Sequence, residues 1–251
     1  MELTVLGKSP AWHDAAGASS GYLLRDQDCT LLLDCGAGVF GKLRATCDYT
    51  EVDAVLITHL HPDHFFDLVA LGCALRYSPR APLPRPALHV PPGARDQLRR
   101  MSAMWSDPED FERAFEVSEY DPAGSLAIGS LTVRFVPVPH FIPTFAVALT
   151  GADGRRFTFG ADCRFNDELV EFARDADLVM LEATSAEPWP GPDVGHMTAR
   201  EAGELARRAG AGRLIVTHFS DEFDRAWVDA EASAGFGAAV ELAAEGARFT
   251  P

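Results

Sequence analysis

The densest chemistry in the chain lies in Thr58-His59-Leu60-His61-Pro62-Asp63-His64. Three imidazoles and a carboxylate fall within six residues, directly after Asp53-Ala54-Val55-Leu56-Ile57, an apolar run of the buried-strand type. Core packing does not call for such a cluster. Imidazole and carboxylate are the donor set of zinc and other borderline divalent metals. On an extended loop, side chains alternate, so His59 and His61 share a side; Asp63 shares their parity and His64 faces elsewhere. One loop could then serve two adjacent metals, His59 and His61 on one, Asp63 and His64 on the other. The competing reading is a polar turn closed by Pro62 whose histidines only hydrogen-bond. It leaves four ligand-type side chains in six positions unexplained.

The His-x-His-x-Asp-His pattern resembles the metallo-β-lactamase superfamily of hydrolases. His140, Asp162 and His218 each stand just beyond an apolar strand, as His59 does, where open sheets gather functional groups. The resemblance assigns them residue by residue: His59, His61 and His140 to one metal, Asp63, His64 and His218 to the other, with Asp162 bridging both. It implies two Zn2+ ions, with Mn2+ or Fe2+ as alternatives, roughly 3.5–4 Å apart. The water between them would have its pKa lowered toward about 7, and the resulting hydroxide would attack an electrophilic centre.

Three further segments are similar to the phosphodiesterase branch that contains ribonuclease Z. They are Leu181-Glu182-Ala183-Thr184, Gly195-His196-Met197-Thr198 and Thr217-His218-Phe219-Ser220. In that branch the His-x-Thr histidine contacts phosphate and helps protonate the leaving oxygen. Here that residue is His196, oriented by Glu182. Asp63, already a ligand, is carried over with these two as catalytic. His196 also precedes a helix N-terminus, which favours an anion; the bland alternative is a helix-start residue facing solvent. The resemblance spans nearly the whole chain and implies the α/β class, a four-layer αββα sandwich, in one domain over residues 1–251.

The chain departs from ribonuclease Z where that enzyme inserts its tRNA-gripping arm, between the third histidine and the bridging aspartate. Only 21 residues separate His140 from Asp162. The net charge of −15 also suits a polyanion poorly, since gripping one takes lysine and arginine to displace counterions. Both features argue against tRNA. Ser19-Ser20-Gly21-Tyr22 and Asp34-Cys35-Gly36 resemble small bacterial members of the superfamily. Cys163 stands where a threonine is usual after the bridging carboxylate and reads as a small buried hydrophobe.

The elements that must position these groups are legible in outline. Met1-Glu2-Leu3-Thr4-Val5-Leu6-Gly7 reads as a first strand. Gly21-Tyr22-Leu23-Leu24-Arg25 and Thr30-Leu31-Leu32-Leu33-Asp34 read as paired strands. Asp34 ends a buried strand, either as a helix cap or orienting a metal-binding histidine. Helices are expected over residues 65–77, about 95–105, about 166–176, from Thr198 and from about 225. Thr198-Ala199-Arg200-Glu201 is a capping box. Hairpins are expected across residues 126–139, across 145–159, and through Ala244-Glu245-Gly246 at the end. Strands 177–181 and 213–217 deliver Glu182 and His218. His89 lies inside a short strand and reads as structural. Trp12, His13 and Trp189 could line the pocket, although packing explains either tryptophan as well.

The expected function is a dinuclear zinc-dependent hydrolase using a metal-bridging hydroxide on a small or nucleotide-like phosphodiester. One alternative is ester, lactone or amide hydrolysis by the same metals; another is a non-catalytic metal-binding protein. Five cysteines without a CxxC pair argue for a reducing compartment. The N-terminus lacks the features of a secretion signal, and no apolar run reaches transmembrane length. The expectation is a cytoplasmic protein without membrane contact. A homodimer is left open by the family resemblance.

Overall fold

The computed structural model describes residues 1–191 and 193–251. Strands β1 (Glu2–Gly7), β2 (Gly21–Asp26) and β3 (Cys29–Leu33) form an antiparallel meander. Helix α1 (Val39–Thr46) leads to β4 (Ala54–Leu56), which lies parallel to β3. The helical segments α2 (Pro62–Phe65) and α3 (Leu68–Tyr77) precede β5 (Ala87–Val90). Then α4 (Ala94–Ser102) and α5 (Asp110–Ala114) lead to β6 (Glu116–Glu119), parallel to β5.

The second sheet begins with the antiparallel strands β7 (Ser125–Ile128), β8 (Leu131–Val138), β9 (Thr144–Thr150) and β10 (Arg156–Phe159). After α6 (Asp167–Phe172), strand β11 (Leu178–Glu182) adds parallel to β10. Helix α7 (Ala199–Ala209) connects it to β12 (Leu214–Thr217), and α8 (Arg225–Phe236) leads to the short β13 (Glu241–Leu242) and β14 (Arg248–Phe249). The strand orders are β14-β1-β2-β3-β4-β5-β6 and β13-β12-β11-β10-β9-β8-β7.

The layering follows from the two-residue period of strands. Tyr22 and Leu24 of β2 face the second sheet and meet residues such as Phe135, Val147 and Phe157, while Leu23 faces the helices with Val39, Leu68 and Leu98. The second sheet sends Val179 and Leu181 the other way, against Leu205 and Ala206 of α7 and Val228 of α8. Helices, sheet, sheet, helices is the αββα sandwich expected from the sequence. Strands β4, β11 and β12 are buried along their whole length, which is why each reads as a continuous apolar run. No helix among the described residues is long and apolar enough to cross a membrane.

Several elements depart from the sequence reading. Helix α1 was not anticipated; Gly38 at φ +87° starts it without a side-chain cap, and burial of Val39 and Leu43 holds it. Strand β6 was likewise unforeseen, being short and largely exposed. The helix expected over residues 65–77 begins earlier and breaks in two, because Pro62 suits a first helical position and opens α2. Helix α6 stops at Phe172, ahead of Asp175 at φ +53°. The final turn is not a hairpin. Ala243 N donates to Val216 O at 2.8 Å, and Gly246 N donates to Val5 O at 2.8 Å. β13 therefore pairs with β12 and β14 with β1. Each short strand completes a different sheet edge, which satisfies more backbone groups than two residues paired with two.

The α7–α8 contact is made backbone to backbone. A Cβ on Gly203 would lie 2.2 Å from Ala232 O, and one on Gly235 would lie 2.2 Å from Arg200 O. Gly203→Ala should therefore lower stability by about 1–3 kcal/mol through overpacking. Urea denaturation reads this as a lower midpoint with an unchanged slope; an unchanged midpoint would mean the helices are not so closely apposed.

Candidate metal centre

The site residues stand at or just past the C-terminal ends of strands. Asp34 follows β3, Asp162 follows β10, Glu182 ends β11 and His218 follows β12. Asp34, Ala161 and His218 adopt φ of +56°, +52° and +54°. This left-handed conformation costs a non-glycine residue about 1–2 kcal/mol. Such strain persists only where the surroundings over-determine it, and it collects at functional sites. Gly36 serves by close approach: a Cβ there would lie 1.9 Å from Asp63 O. Cys35 N donates to His64 O at 2.7 Å, so the 34–36 turn supports the 59–64 segment directly.

That segment is extended only as far as His61, which caps α2 in an extended conformation. Asp63 and His64 sit on the helical turn that Pro62 starts, so strand parity does not govern them. The grouping nevertheless matches the sequence expectation. Donor atoms of His59, His61, His140 and Asp162 lie within 4.8 Å of one another, and so do those of Asp63, His64, Asp162 and His218. Asp162 belongs to both groups. Around its carboxylate stand the Nε2 atoms of His64 at 3.3 Å, His218 at 3.4 Å, His59 at 3.9 Å and His140 at 4.0 Å.

Each of these four rings is tied by its other nitrogen. The Thr58 hydroxyl donates to the Asp34 carboxylate at 2.9 Å, which leaves His59 Nδ1 as donor to Thr58 Oγ1 at 3.0 Å. His64 Nδ1 donates to Asp34 Oδ2 at 2.8 Å. The Thr184 hydroxyl donates to His218 O, and His218 Nδ1 donates to Thr184 Oγ1 at 2.8 Å. His140 Nδ1 donates to Gly195 O at 3.3 Å. A ring that donates from Nδ1 keeps its Nε2 lone pair for another partner, the usual way proteins orient metal-binding histidines. Asp34 thus orients His64 rather than capping a helix. Neither Thr58 nor Thr184 carries a role in the sequence reading; Thr58 adjoins the strand-end His59, whereas Thr184 lies 34 residues from His218 and meets it only in the fold.

The residues present fit divalent cations. His59 Nε2 and Asp162 Oδ1 are buried without a hydrogen-bond partner, a costly state for polar atoms that lack a ligand. The inward-facing nitrogens crowd: His64 Nε2 lies 3.3 Å from His218 Nε2, and His140 Nε2 lies 3.0 Å from His61 Nδ1. Electrostatics differ from ring to ring. Burial acts to lower the His64 pKa, yet Asp162, Asp63 and Asp34 together hold that ring well above its ordinary range. Burial, aided by the neighbouring His64, holds His59 well below the ordinary range, and burial pushes His140 down to about 4. These two rings are therefore in the neutral form that ligates metal.

His196 stands beside the clusters, its ring near-parallel to that of His218 with centroids 6.2 Å apart. Its Nδ1 donates to Glu182 Oε1 at 2.8 Å. Glu182 is fully buried and also accepts from the backbone N–H groups of Cys163 and Thr184. Burial opposes protonation of His196, but the Glu182 carboxylate outweighs it and the ring is pushed up to about 9. A cavity of about 420 Å³ opens over these groups, lined by His61, Asp63, Asp162, His196, His218, Trp12 and Trp189 among others. His13 is exposed and is not among the lining residues. Cys163 is buried among apolar neighbours, and His89 bonds to Ser118 at 2.9 Å on β6, far along the first sheet.

The family described as "Beta-lactamase superfamily domain" matches residues 30–219. The chain is 30% identical to the probable metallo-hydrolase YhfI of Bacillus subtilis, over 87% of this chain and 86% of that one. The crystal structure of that metallo-beta-lactamase fold protein superposes with a TM-score of 0.86 at 26% identity, covering 99% and 98% of the two chains. A ribonuclease Z of Halorubrum lacusprofundi is 29% identical over 89% of this chain and 87% of its own. A diphosphatase of the PhnP family shares the fold, with a TM-score of 0.78 at 18% identity over 99% and 97% of the chains.

Two outcomes test the geometry directly. Asp34→Asn keeps the shape but removes the charge behind His64, and outer partners of this kind are worth about 10- to 100-fold in metal affinity. Zinc titration against a chromophoric chelator should show that loss; wild-type affinity would mean the carboxylate does not tune the ring. In the metal-free protein, the His196 ring should titrate near 9 by NMR. In Glu182→Gln it should fall toward the ordinary value of about 6.5.

Proposed function

The chain belongs to the β-lactamase superfamily, and from that premise we propose that it is a dinuclear metal-dependent phosphodiesterase acting on small, nucleotide-like esters. The observation that carries the reading is the pair formed by buried Glu182 and pocket-lining His196, set beside two donor clusters that share Asp162. His59, His61, His140 and Asp162 would hold one cation, and Asp63, His64, His218 and Asp162 the other, with zinc the first choice for this donor set. When bound, such cations supply an acidified water and offset negative charge on the attacked group.

The chain's own residues do the rest. With Nδ1 committed to Glu182, His196 turns Nε2 toward the pocket as a cationic donor at neutral pH. It can hold a phosphate oxygen and deliver a proton where an alkoxide would otherwise leave. Water adds to phosphorus and gives up a proton to solvent, the P–O bond to the alcohol breaks, the departing oxygen takes the His196 proton, and His196 regains a proton from solvent. An ester or lactone hydrolase has less need of a cationic proton donor held beside the two donor groups.

A small substrate is supported by what lies between His140 and Asp162. That segment is taken up by β9, β10 and their turn, with no room for an arm that would grip tRNA. The acidic balance of −15 points the same way. The five cysteines are all unpaired, which fits a reducing cytoplasm.

The zinc-loaded protein should hydrolyse bis(p-nitrophenyl) phosphate in preference to a lactone panel. His61→Ala should abolish turnover together with stoichiometric metal binding. His196→Ala should retain metal while losing about 10²- to 10⁴-fold in kcat, the usual contribution of a positioned proton donor. Lactone turnover exceeding phosphodiester turnover, with His196→Ala unimpaired, would reject the reading.

A further inference from the structure

The pocket over the histidine clusters carries uncovered aromatic surface that metal binding and proton transfer do not use. Seven large hydrophobic side chains are exposed among the described residues, and Trp12 (49%), Phe141 (47%) and Trp189 (36%) are three of them. Trp12 and Trp189 line this pocket. Phe141 supports Trp189, with ring centroids 5.6 Å apart. Scattered exposed aromatics need no explanation, but two tryptophans from distant segments at one mouth do.

Both indoles are held in place by the segments that carry the site. The Trp189 ring lies 5.5 Å from that of His196 and directly over Gly195, where a Cβ would sit 2.3 Å from the indole. Trp12 Nε1 donates to Ser220 Oγ at 3.2 Å, two residues past His218. The loop bearing Trp12 is clipped to the same segment at further points. Lys8 Nζ donates to Phe219 O at 2.8 Å and pairs with Asp14, whose carboxylate accepts from Asp221 N at 2.9 Å. Ala15 N donates to Asp221 Oδ2 at 3.1 Å. Rings fixed in advance lose little freedom when a ligand arrives.

We propose that Trp12 and Trp189 are specificity-determining residues that receive the flat base of a nucleoside phosphodiester while its phosphate lies at His196; this rests on the phosphodiesterase reading above. Indole offers the broadest face for stacking, and every nucleobase presents a π-surface to it. The depth order suits such a ligand: Asp63, Asp162 and His218 are buried on the pocket floor, while the indoles stand half in solvent. A cavity of about 420 Å³ falls in the range of small-molecule sites, about 300–1,000 Å³.

The test uses the zinc-loaded full chain and three esters that release the same p-nitrophenolate. These are thymidine 5′-(p-nitrophenyl phosphate), methyl p-nitrophenyl phosphate and p-nitrophenyl phosphorylcholine, the last because aromatic rings also attract quaternary ammonium. The wild type should have its highest kcat/KM on the thymidine ester. Trp12→Ala and Trp189→Ala should each lower the thymidine-to-methyl ratio about tenfold, equivalent to about 1.36 kcal/mol, with the change mainly in KM; Trp189→Phe should restore most of it. A ratio unchanged in both variants, or a wild-type preference for the choline ester, overturns the proposal. If none of the three is hydrolysed, the phosphodiesterase reading falls, and a binding measurement still decides this one. Quenching of tryptophan fluorescence by thymidine 5′-monophosphate but not methyl phosphate, lost in the double variant, supports it. Absence of that quenching overturns it.

Discussion

Four buried imidazoles gathered around one buried carboxylate constrain this molecule more than any other feature. Asp162 has the Nε2 atoms of His59, His64, His140 and His218 within 4.0 Å, in a region where water cannot stabilise unpaired polar groups. The protein manages the cost by committing each ring's other nitrogen to Asp34, to a threonine hydroxyl or to a carbonyl. Those outward bonds set which lone pairs converge, so the chemistry of the centre is decided one layer away from it.

The sandwich exists, in functional terms, to bring strand ends together. Strands β3, β4, β10 and β12 stop at one edge of the two sheets, and the turns that follow carry Asp34, His59, Asp162 and His218. Three residues there hold left-handed backbones without being glycine. The two sheets, each covered by its own helices, supply the packing against which that strain is maintained. Gly36 illustrates how tight the arrangement is, since its backbone passes within contact of the histidine segment.

Next to this centre, on the function we propose, the Glu182–His196 pair and the two tryptophans would divide the labour of a phosphoester site. One holds a proton close to where an oxygen would depart. The others offer apolar faces further out. The acidic balance of the chain and the short connection between His140 and Asp162 both favour a compact ligand over a nucleic acid.

The donor residues of the cluster were legible in the sequence, because they rest on local facts. A run such as Asp53-Ala54-Val55-Leu56-Ile57 declares a buried strand by its own composition, Thr198 and Glu201 declare a helix start by their spacing, and histidines crowded past a strand declare a metal donor set. Where such signals are lacking the reading failed: α1, missed, depends on what Val39 and Leu43 pack against, and the pairing of β13 and β14, expected with each other, depends on which sheet edge lies nearby. Tertiary structure alone decided that Asp34 turns toward His64, that α2 rather than an extended loop aims Asp63 and His64, and that Trp12 and Trp189 share a pocket while His13 does not. The physical reason is that residue type and period fix what a segment can become. The meeting of groups far apart in the chain is set by register and packing between whole sheets, which no short stretch encodes.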